Sequence, residues 1–262
     1  MENRPTAAPR HERPLPRGNH PLQLYSCATP NGQKVTIALE VAGAAYDAHF
    51  TDIFEGDQFG AEFTAACPNQ KIPLLIDTAG PAAAEGETAT TDFPVMESGA
   101  ILLYIAEKFP ESGLLPVGDP AARAVALQWL FWLAGAAPYL GQYGHFKVYA
   151  KERVPYAIAR YEMEACRLLD VMDRRLSTST WLGGDAFGVA DCAAYPWVMC
   201  LDKYYKAAEE TRLAERQHVQ RWMAACADLP AVKKGMIINV MDKDAEFHEY
   251  STAGKGADAA KA

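Results

Sequence analysis

The chain has 262 residues, of which 50% are hydrophobic and 22% charged. That mixture is enough to build a sizeable core and excludes a wholly disordered chain. Its 25 basic and 33 acidic side chains leave a net charge of -8, with no Lys/Arg-rich block. This excludes the electrostatic footprint of a long nucleic-acid partner and the polybasic patch of a protein held on anionic lipid, while leaving room for a small anionic ligand.

Met1 to Asn19 contains Pro5, Pro9, Pro14 and Pro16 and has no hydrophobic stretch. It does not read as a secretory signal. Prolines prevent regular ladders there, so the segment is expected to be a flexible arm. The alternative is an arm that packs on the body or on a partner subunit.

From His20 the pattern changes. Leu22 and Leu24 alternate with polar neighbours up to Ser26, which predicts a strand. Thr29-Pro30-Asn31-Gly32 reads as a turn, and Val35, Ala38, Leu39 and Ala42 repeat at helical spacing. A second strand is expected over His49–Ile53 and a short helix over Gln58–Ala66. Lys71–Asp77 reads as a strand opening on Pro73, a position where a missing N–H costs no ladder bond. Thr78–Asp92 reads as an insertion loop, Phe93–Met96 as a strand, and Glu97-Ser98 as the start of a helix with Ile101, Leu102, Ile105 and Phe109 on one face. Pro110–Pro120 reads as a linker.

Beyond it the periodicity is helical. Ala121–Ala136, Val154–Leu176, Val189–Lys206, His218–Ala227 and a last helix from Pro230 are expected, with a break near Gly141 and Gly144. Val189–Lys206 is apolar nearly all round, the mark of a buried helix. The expected organisation is an arm over 1–19, an α/β domain over 20–110, an all-helical domain over 120–242 and a tail of low hydrophobicity over 243–262. No apolar run reads as reaching the roughly 18 residues that span a bilayer.

Several common chemistries lack their motifs. There is no G-x-G-x-x-G, no phosphate-binding G-x-x-x-x-G-K-[ST], no H-E-x-x-H and no G-x-S-x-G. The six histidines are scattered, so no metal site is expected. The six cysteines (Cys27, Cys67, Cys166, Cys192, Cys200 and Cys226) form no C-x-x-C pair and read as reduced thiols. A chain this long needs no disulfide staples.

What remains is polar chemistry at strand and helix ends. Thr29 and Asn31 lie where the first strand meets the first helix, where open N–H groups and a hydroxyl suit an anion. Local capping explains the same residues. Ile72-Pro73, if cis, would turn the main-chain groups of Ile72 toward a cleft, where they could pair with an extended peptide. Ser98 and the N–H groups beside it suit a carboxylate, and Glu97 suits an ammonium, which together match one zwitterionic α-amino-acid end; capping alone is again the alternative. Cys27, at a strand end, reads as a small buried hydrophobe rather than a nucleophile, and Cys67 likewise.

Leu24-Tyr25-Ser26, Thr29-Pro30-Asn31-Gly32-Gln33-Lys34, Pro68-Asn69-Gln70-Lys71-Ile72-Pro73 and Glu97-Ser98-Gly99-Ala100-Ile101-Leu102-Leu103-Tyr104 resemble the thioredoxin-like half of the glutathione transferase superfamily. Gln128–Trp132, Gly144-His145-Phe146, Pro155–Ile158 and Trp181–Gly184 resemble its bacterial nu class, and the resemblance covers about residues 20–240. It implies an α/β thioredoxin-like domain followed by an all-α domain, a homodimer and glutathione as cosubstrate, with a small-molecule disulfide or electrophile as partner; the start without a signal or transit pattern and the lack of a spanning run favour a cytoplasmic location, and the charge balance favours neither nucleic acid nor membrane. The resemblance further implies that Ile72 and Pro73 hold the cysteinyl part of glutathione, and that Glu97 and Ser98 hold the γ-glutamyl end. Gln58 and Lys71 are then donors to its carboxylates, Thr29 donates to the sulfur, and Asn31 orients by hydrogen bonding, since an amide cannot ionise to a nucleophile. Arg160 resembles an arginine that reaches across the dimer and would hold a second glutathione. Tyr139 or Tyr143 would form a substrate wall.

The implied activity is disulfide reduction by two glutathione thiols without a protein cysteine. Conjugation of an electrophile or thioether cleavage is one alternative, and a non-catalytic glutathione-binding protein the other. One departure from the family pattern stands out. Gly188 occupies the cap before the buried helix where Ser or Thr is usual, while Asp191 of that box is retained.

Overall fold

The computed structural model describes residues 8–81 and 92–240. Residues 1–7 of the arm, most of the expected insertion loop and the expected tail over 243–262 lie outside the described residues. Two compact units divide the described residues: those up to Ser112 together with 233–240, and Gly113–Val232.

The first unit is built on β1 (Leu22–Ser26), whose five residues are all buried. Around it stand α1 (Pro30–Val41), β2 (Tyr46–Phe50), α2 (Ala61–Ala66), β3 (Leu74–Asp77), β4 (Phe93–Met96) and α3 (Ser98–Lys108). The sheet order is β2-β1-β3-β4. β1 and β2 run parallel, with Leu22 opposite Tyr46, while β3 is antiparallel to both β1 and β4.

Strand alternation sorts the two faces. Leu22, Leu24, Leu75 and Asp77 share one face. α3 meets it: the buried Asp77 carboxylate accepts from the Tyr104 hydroxyl at 2.6 Å and pairs with Lys108 at 2.6 Å. The opposite face carries Tyr25, Leu74 and Ile76, which cluster with Phe63 and Cys67 from α2 and its C-terminal end.

Residues 8–19 are not a loose arm. Arg10 donates its N–H to the Phe59 carbonyl, and Ala61 donates to His11. The Arg10 guanidinium sits 3.7 Å above the Phe59 ring, and the Tyr25 hydroxyl donates to Pro16 at 2.7 Å. A buried polar cluster completes the attachment. Gln23 bridges Asp47 at 2.7 Å and His49 at 2.8 Å, while Gly18 donates to Gln23 and His20 to Asp47. Prolines prevent a ladder, but side-chain and isolated main-chain bonds do not need one. The arm also explains why the expected helix over Gln58–Ala66 is split at Gly60: a Cβ there would lie 2.7 Å from the His11 ring.

The second unit contains α4 (Pro120–Gly144), α5 (Pro155–Leu176), α6 (Val189–Met199) and α7 (Gln217–Asp228), with α4 packed on both α5 and α6. Asp119 caps α4, accepting from Ala121 and Ala122 at 3.0 Å. α4 runs beyond the expected Ala136, through Pro138, to Gly144. Gly144 is where the Tyr205 ring presses so close that no Cβ fits. The helix then widens into a π-turn over His145–Tyr149. Contrary to the sequence reading, Pro120–Tyr149 is long and apolar enough to cross a membrane by length and composition, with 33% of its apolar window buried within the protein.

α6 begins on Gly188. A Cβ at that residue would lie 2.7 Å from the Leu114 carbonyl, which also accepts from Val189 at 2.9 Å. The close approach, rather than cap chemistry, accounts for glycine here. Asp191 still serves the box, accepting from Gly188 at 3.1 Å, Leu182 at 2.9 Å and Trp222 at 2.8 Å. Among the described residues, 233–240 group with the first unit rather than with the expected helical domain over 120–242. α8 (Pro230–Gly235) carries the chain across that boundary.

Candidate functional site

The turn after β1 is fixed by close packing. Thr29 caps α1 in extended backbone, with Pro30 filling the first helical position, where no N–H is needed. Thr29 donates its N–H to the Cys27 carbonyl at 2.7 Å. A Cβ on Gly32 would collide with that same carbonyl, so this glycine lets α1 start tight against the strand. The Thr29 hydroxyl accepts from Gly32 N at a long 3.4 Å. As an acceptor in that bond, the hydroxyl keeps its own proton for an incoming group. Asn31 is half-buried on the first turn of α1.

The Ile72–Pro73 peptide bond is cis. Ile72 is half-buried and Lys71 exposed. Gln58 is buried, its amide donating to the Ile53 carbonyl at 3.4 Å.

Glu97 is strained. Its φ of 69° lies in the left-handed region that a side chain with a Cβ rarely adopts. That conformation ends β4 and starts α3 with no residue between the strand's last position and Glu97. The Glu97 carboxylate accepts from Asn69 Nδ2 at 3.0 Å. Ser98, the first residue of α3, accepts from Lys34 Nζ at 3.3 Å. Lys34 is only 5% exposed, and burial lowers its pKa to about 8, with nearby Glu97 acting the other way.

A buried ammonium thus sits directly behind a helix-start hydroxyl, next to an exposed carboxylate. The arrangement sets donors suited to a carboxylate, Ser98 and the α3 N–H groups, beside an acceptor suited to an ammonium, Glu97. Neither Lys34 nor Asn69 was assigned a role from sequence. A lysine immediately before the largely apolar stretch Val35 to Leu39 was the available signal for the first. The Asn69–Glu97 contact spans 28 residues and left none.

All six cysteines are free, and burial raises the pKa of each. Cys27, 1% exposed, is pushed up to about 12. None is poised as a thiolate at neutral pH. Among the described residues, no group of three or more His, Cys, Asp or Glu side chains is arranged to hold a metal.

The remaining candidates belong to the helical unit. Arg160, exposed on α5, pairs with Glu164 one turn on at 3.8 Å. Tyr139 is 42% exposed on α4, its ring 6.5 Å from that of Tyr161. Tyr143 is fully buried, and its hydroxyl finds no hydrogen-bond partner. Burial raises its pKa.

Comparison with known proteins follows the same two units. Residues 20–107 match the N-terminal domain model of glutathione S-transferases and residues 125–230 the C-terminal one. The disulfide-bond oxidoreductase YghU of Escherichia coli is 48% identical over 246 residues, 90% of this chain and 81% of that protein. The crystal structure of a glutathione transferase from Streptococcus pneumoniae, complexed with glutathione, is 43% identical with a TM-score of 0.82, covering 89% of each chain. A Burkholderia graminis glutathione transferase, solved with two glutathione molecules per subunit, is 39% identical with a TM-score of 0.76, covering 83% of this chain and 88% of that one.

Proposed function

The chain belongs to the glutathione S-transferase family, and from that premise we propose that it is a glutathione-dependent disulfide-bond oxidoreductase using two glutathione thiols and no cysteine of its own. The observation that carries this reading is the pairing of a zwitterion receptor at Glu97, Ser98 and Lys34 with a chain whose own thiols, four of them buried and two half-buried, all have raised pKa values. Two glutathiones supply the electrons: one thiolate attacks the disulfide, the second attacks the mixed disulfide, and glutathione disulfide and two reduced thiols leave.

The protein's part is binding and orientation. Glu97 and Ser98 hold the γ-glutamyl end, with Lys34 neutralising the carboxylate through Ser98. Ile72, ahead of Pro73, offers its main-chain groups to the cysteinyl part. Gln58 and Lys71 are the donors assigned to the remaining carboxylate, Lys71 being the exposed one. Thr29 donates its hydroxyl proton to the sulfur, favouring the thiolate that exchange requires, and the Asn31 amide orients the reacting groups. Arg160 is the cation assigned to the second glutathione, and Tyr139 the exposed aromatic of the substrate wall.

A homodimer fits the apolar groups that α4 and α5 leave exposed: Phe131 at 64%, Tyr156 at 81% and Met163 at 62%. The reducing cytoplasm is the compartment that supplies the glutathione thiol.

The test is steady-state turnover of a small disulfide with glutathione, coupled to glutathione disulfide reductase. Rates well above uncatalysed exchange, second order in glutathione below saturation, are expected. Thr29→Ala is expected to lower kcat about tenfold or more with little change in KM, the pattern of an interaction made in the transition state. Binding of glutathione without turnover of disulfides, together with turnover of an aryl halide, would replace this reading with conjugation.

A further inference from the structure

We infer that residues 234–239 form a strap that positions the Thr29 turn, with Asn239 as its anchoring and positioning residue; the inference rests on the role proposed above for Thr29. The segment runs back along α1 from its C-terminal end to its start. Lys234 pairs with Glu40 at 2.8 Å. The Gly235 carbonyl accepts from the Thr36 hydroxyl at 2.6 Å, and the Met236 carbonyl from the Gln33 amide at 2.9 Å. Gly235 lies so close that a Cβ would sit 2.6 Å from Ile37 Cα and N.

The segment ends on the turn itself. The Asn239 carbonyl accepts from Ala28 N at 2.8 Å, and its side-chain amide donates to the Ser26 carbonyl at 3.3 Å. Asn239 is 1% exposed and sits at a φ of 57°, a conformation that asparagine tolerates better than other residues with a Cβ. These two bonds clamp the residues on either side of Cys27, and Thr29 in turn hangs on the Cys27 carbonyl.

The clamp therefore fixes the only main-chain path by which β1 delivers the Thr29 hydroxyl. Without it, Ala28 N and one lone pair of Ser26 lose buried partners, and the turn is free to shift by a fraction of an ångström. Positioning of a reacting group is sensitive to displacements on that scale. Asn239 makes no contact with ligand in this assignment. It acts through Thr29.

Two substitutions separate positioning from bulk stability. Asn239→Asp keeps the size but sets a carboxylate oxygen against the Ser26 carbonyl. Asn239→Gly accepts the same φ and keeps the main-chain bond to Ala28 while deleting the side-chain clamp, so it serves if the aspartate variant fails to fold. Each is compared with the full chain for kcat, for KM of glutathione, and for the pKa of bound glutathione read from thiolate ultraviolet absorbance. The expected result is a drop in kcat of about tenfold for Asn239→Asp and a smaller one for Asn239→Gly. KM is expected to stay within about twofold, and the bound thiol pKa to rise. In a Thr29→Ala background, neither substitution should cost further turnover, since both act through the same hydroxyl.

Thr29→Ala shifting the thiol pKa while Asn239→Asp leaves it unchanged, or additive losses in the double variants, would overturn the strap and leave the Thr29 reading intact. A Thr29→Ala protein with an unaltered thiol pKa and kcat would overturn the role of the turn itself, and the strap with it.

Discussion

Replacing Cys27 with alanine tests whether this protein's own sulfur takes part in exchange. Cys27 stands two residues before Thr29, close enough to the turn proposed to serve the thiolate to invite that assignment. Its thiol is 1% exposed and pushed up to about 12. At pH 7 its thiolate fraction is about 10⁻⁵, against a few per cent for an ordinary thiol of pKa near 8.5. The deficit is roughly three and a half powers of ten. A more basic thiolate is intrinsically more nucleophilic, and a Brønsted slope of about 0.45 returns about one and a half of those powers. Cys27 is left on the order of a hundredfold slower than a glutathione thiol before its burial is considered. Cys27→Ala should therefore leave kcat/KM within about threefold of the parent. Emptying the sulfur's place in the core should cost on the order of 1 kcal/mol, lowering Tm by a few degrees. The coupled disulfide assay and a thermal melt measure both. A loss of about tenfold or more in kcat/KM with the melt unchanged would refute the cysteine-free mechanism.

Three further outcomes are expected. Asp191→Ala strands three buried donors, on Leu182, Gly188 and Trp222. At about 1–3 kcal/mol for each unsatisfied group, urea denaturation should register a loss of about 3–9 kcal/mol, and a loss below about 1 kcal/mol would mean that these bonds do not hold the start of α6. Lys34 is charged below about 8 and discharges above it. Glutathione affinity, followed by calorimetry, should therefore fall as pH rises through 8, and Lys34→Met should bind about tenfold more weakly at pH 6.5 and lack that limb; parallel profiles for the two proteins would remove Lys34 from the site. Phe131→Glu, which sets a charge among the exposed apolar groups of α4, should shift the mass measured by light scattering from dimer to monomer, whereas an unchanged dimer would place the interface elsewhere.

The local features of this protein were written in its local sequence. Alternation at Leu22 and Leu24 marked β1, and the spacing of Leu168, Leu169 and Met172 marked the buried side of α5, because pleat and helix periods act over a few residues. Thr29, the Ile72-Pro73 pair and Glu97-Ser98 were legible for the same reason: each sits at an element end, where cap and turn chemistry restricts residue type. The second strand shows the limit. Its expected place was His49–Ile53, yet parallel pairing with β1 puts it at Tyr46–Phe50, and register is set by the partner strand rather than by its own residues.

The same limit explains what went unseen at the site. Lys34 belongs to α1 by sequence, but its burial against Ser98 depends on how α1 and α3 pack. The arm reads as loose because its prolines forbid ladders. It is held instead by Gln23, Asp47 and Phe59, whose partners no local pattern announces. Asn239 lies more than 200 residues from Ser26, in a stretch whose composition suggests only a helix running out. The sequence alone determined which residues could cap, turn and alternate. Tertiary structure decided which of them meet, since a contact between distant segments is selected by the packing of the whole unit and leaves no periodicity behind.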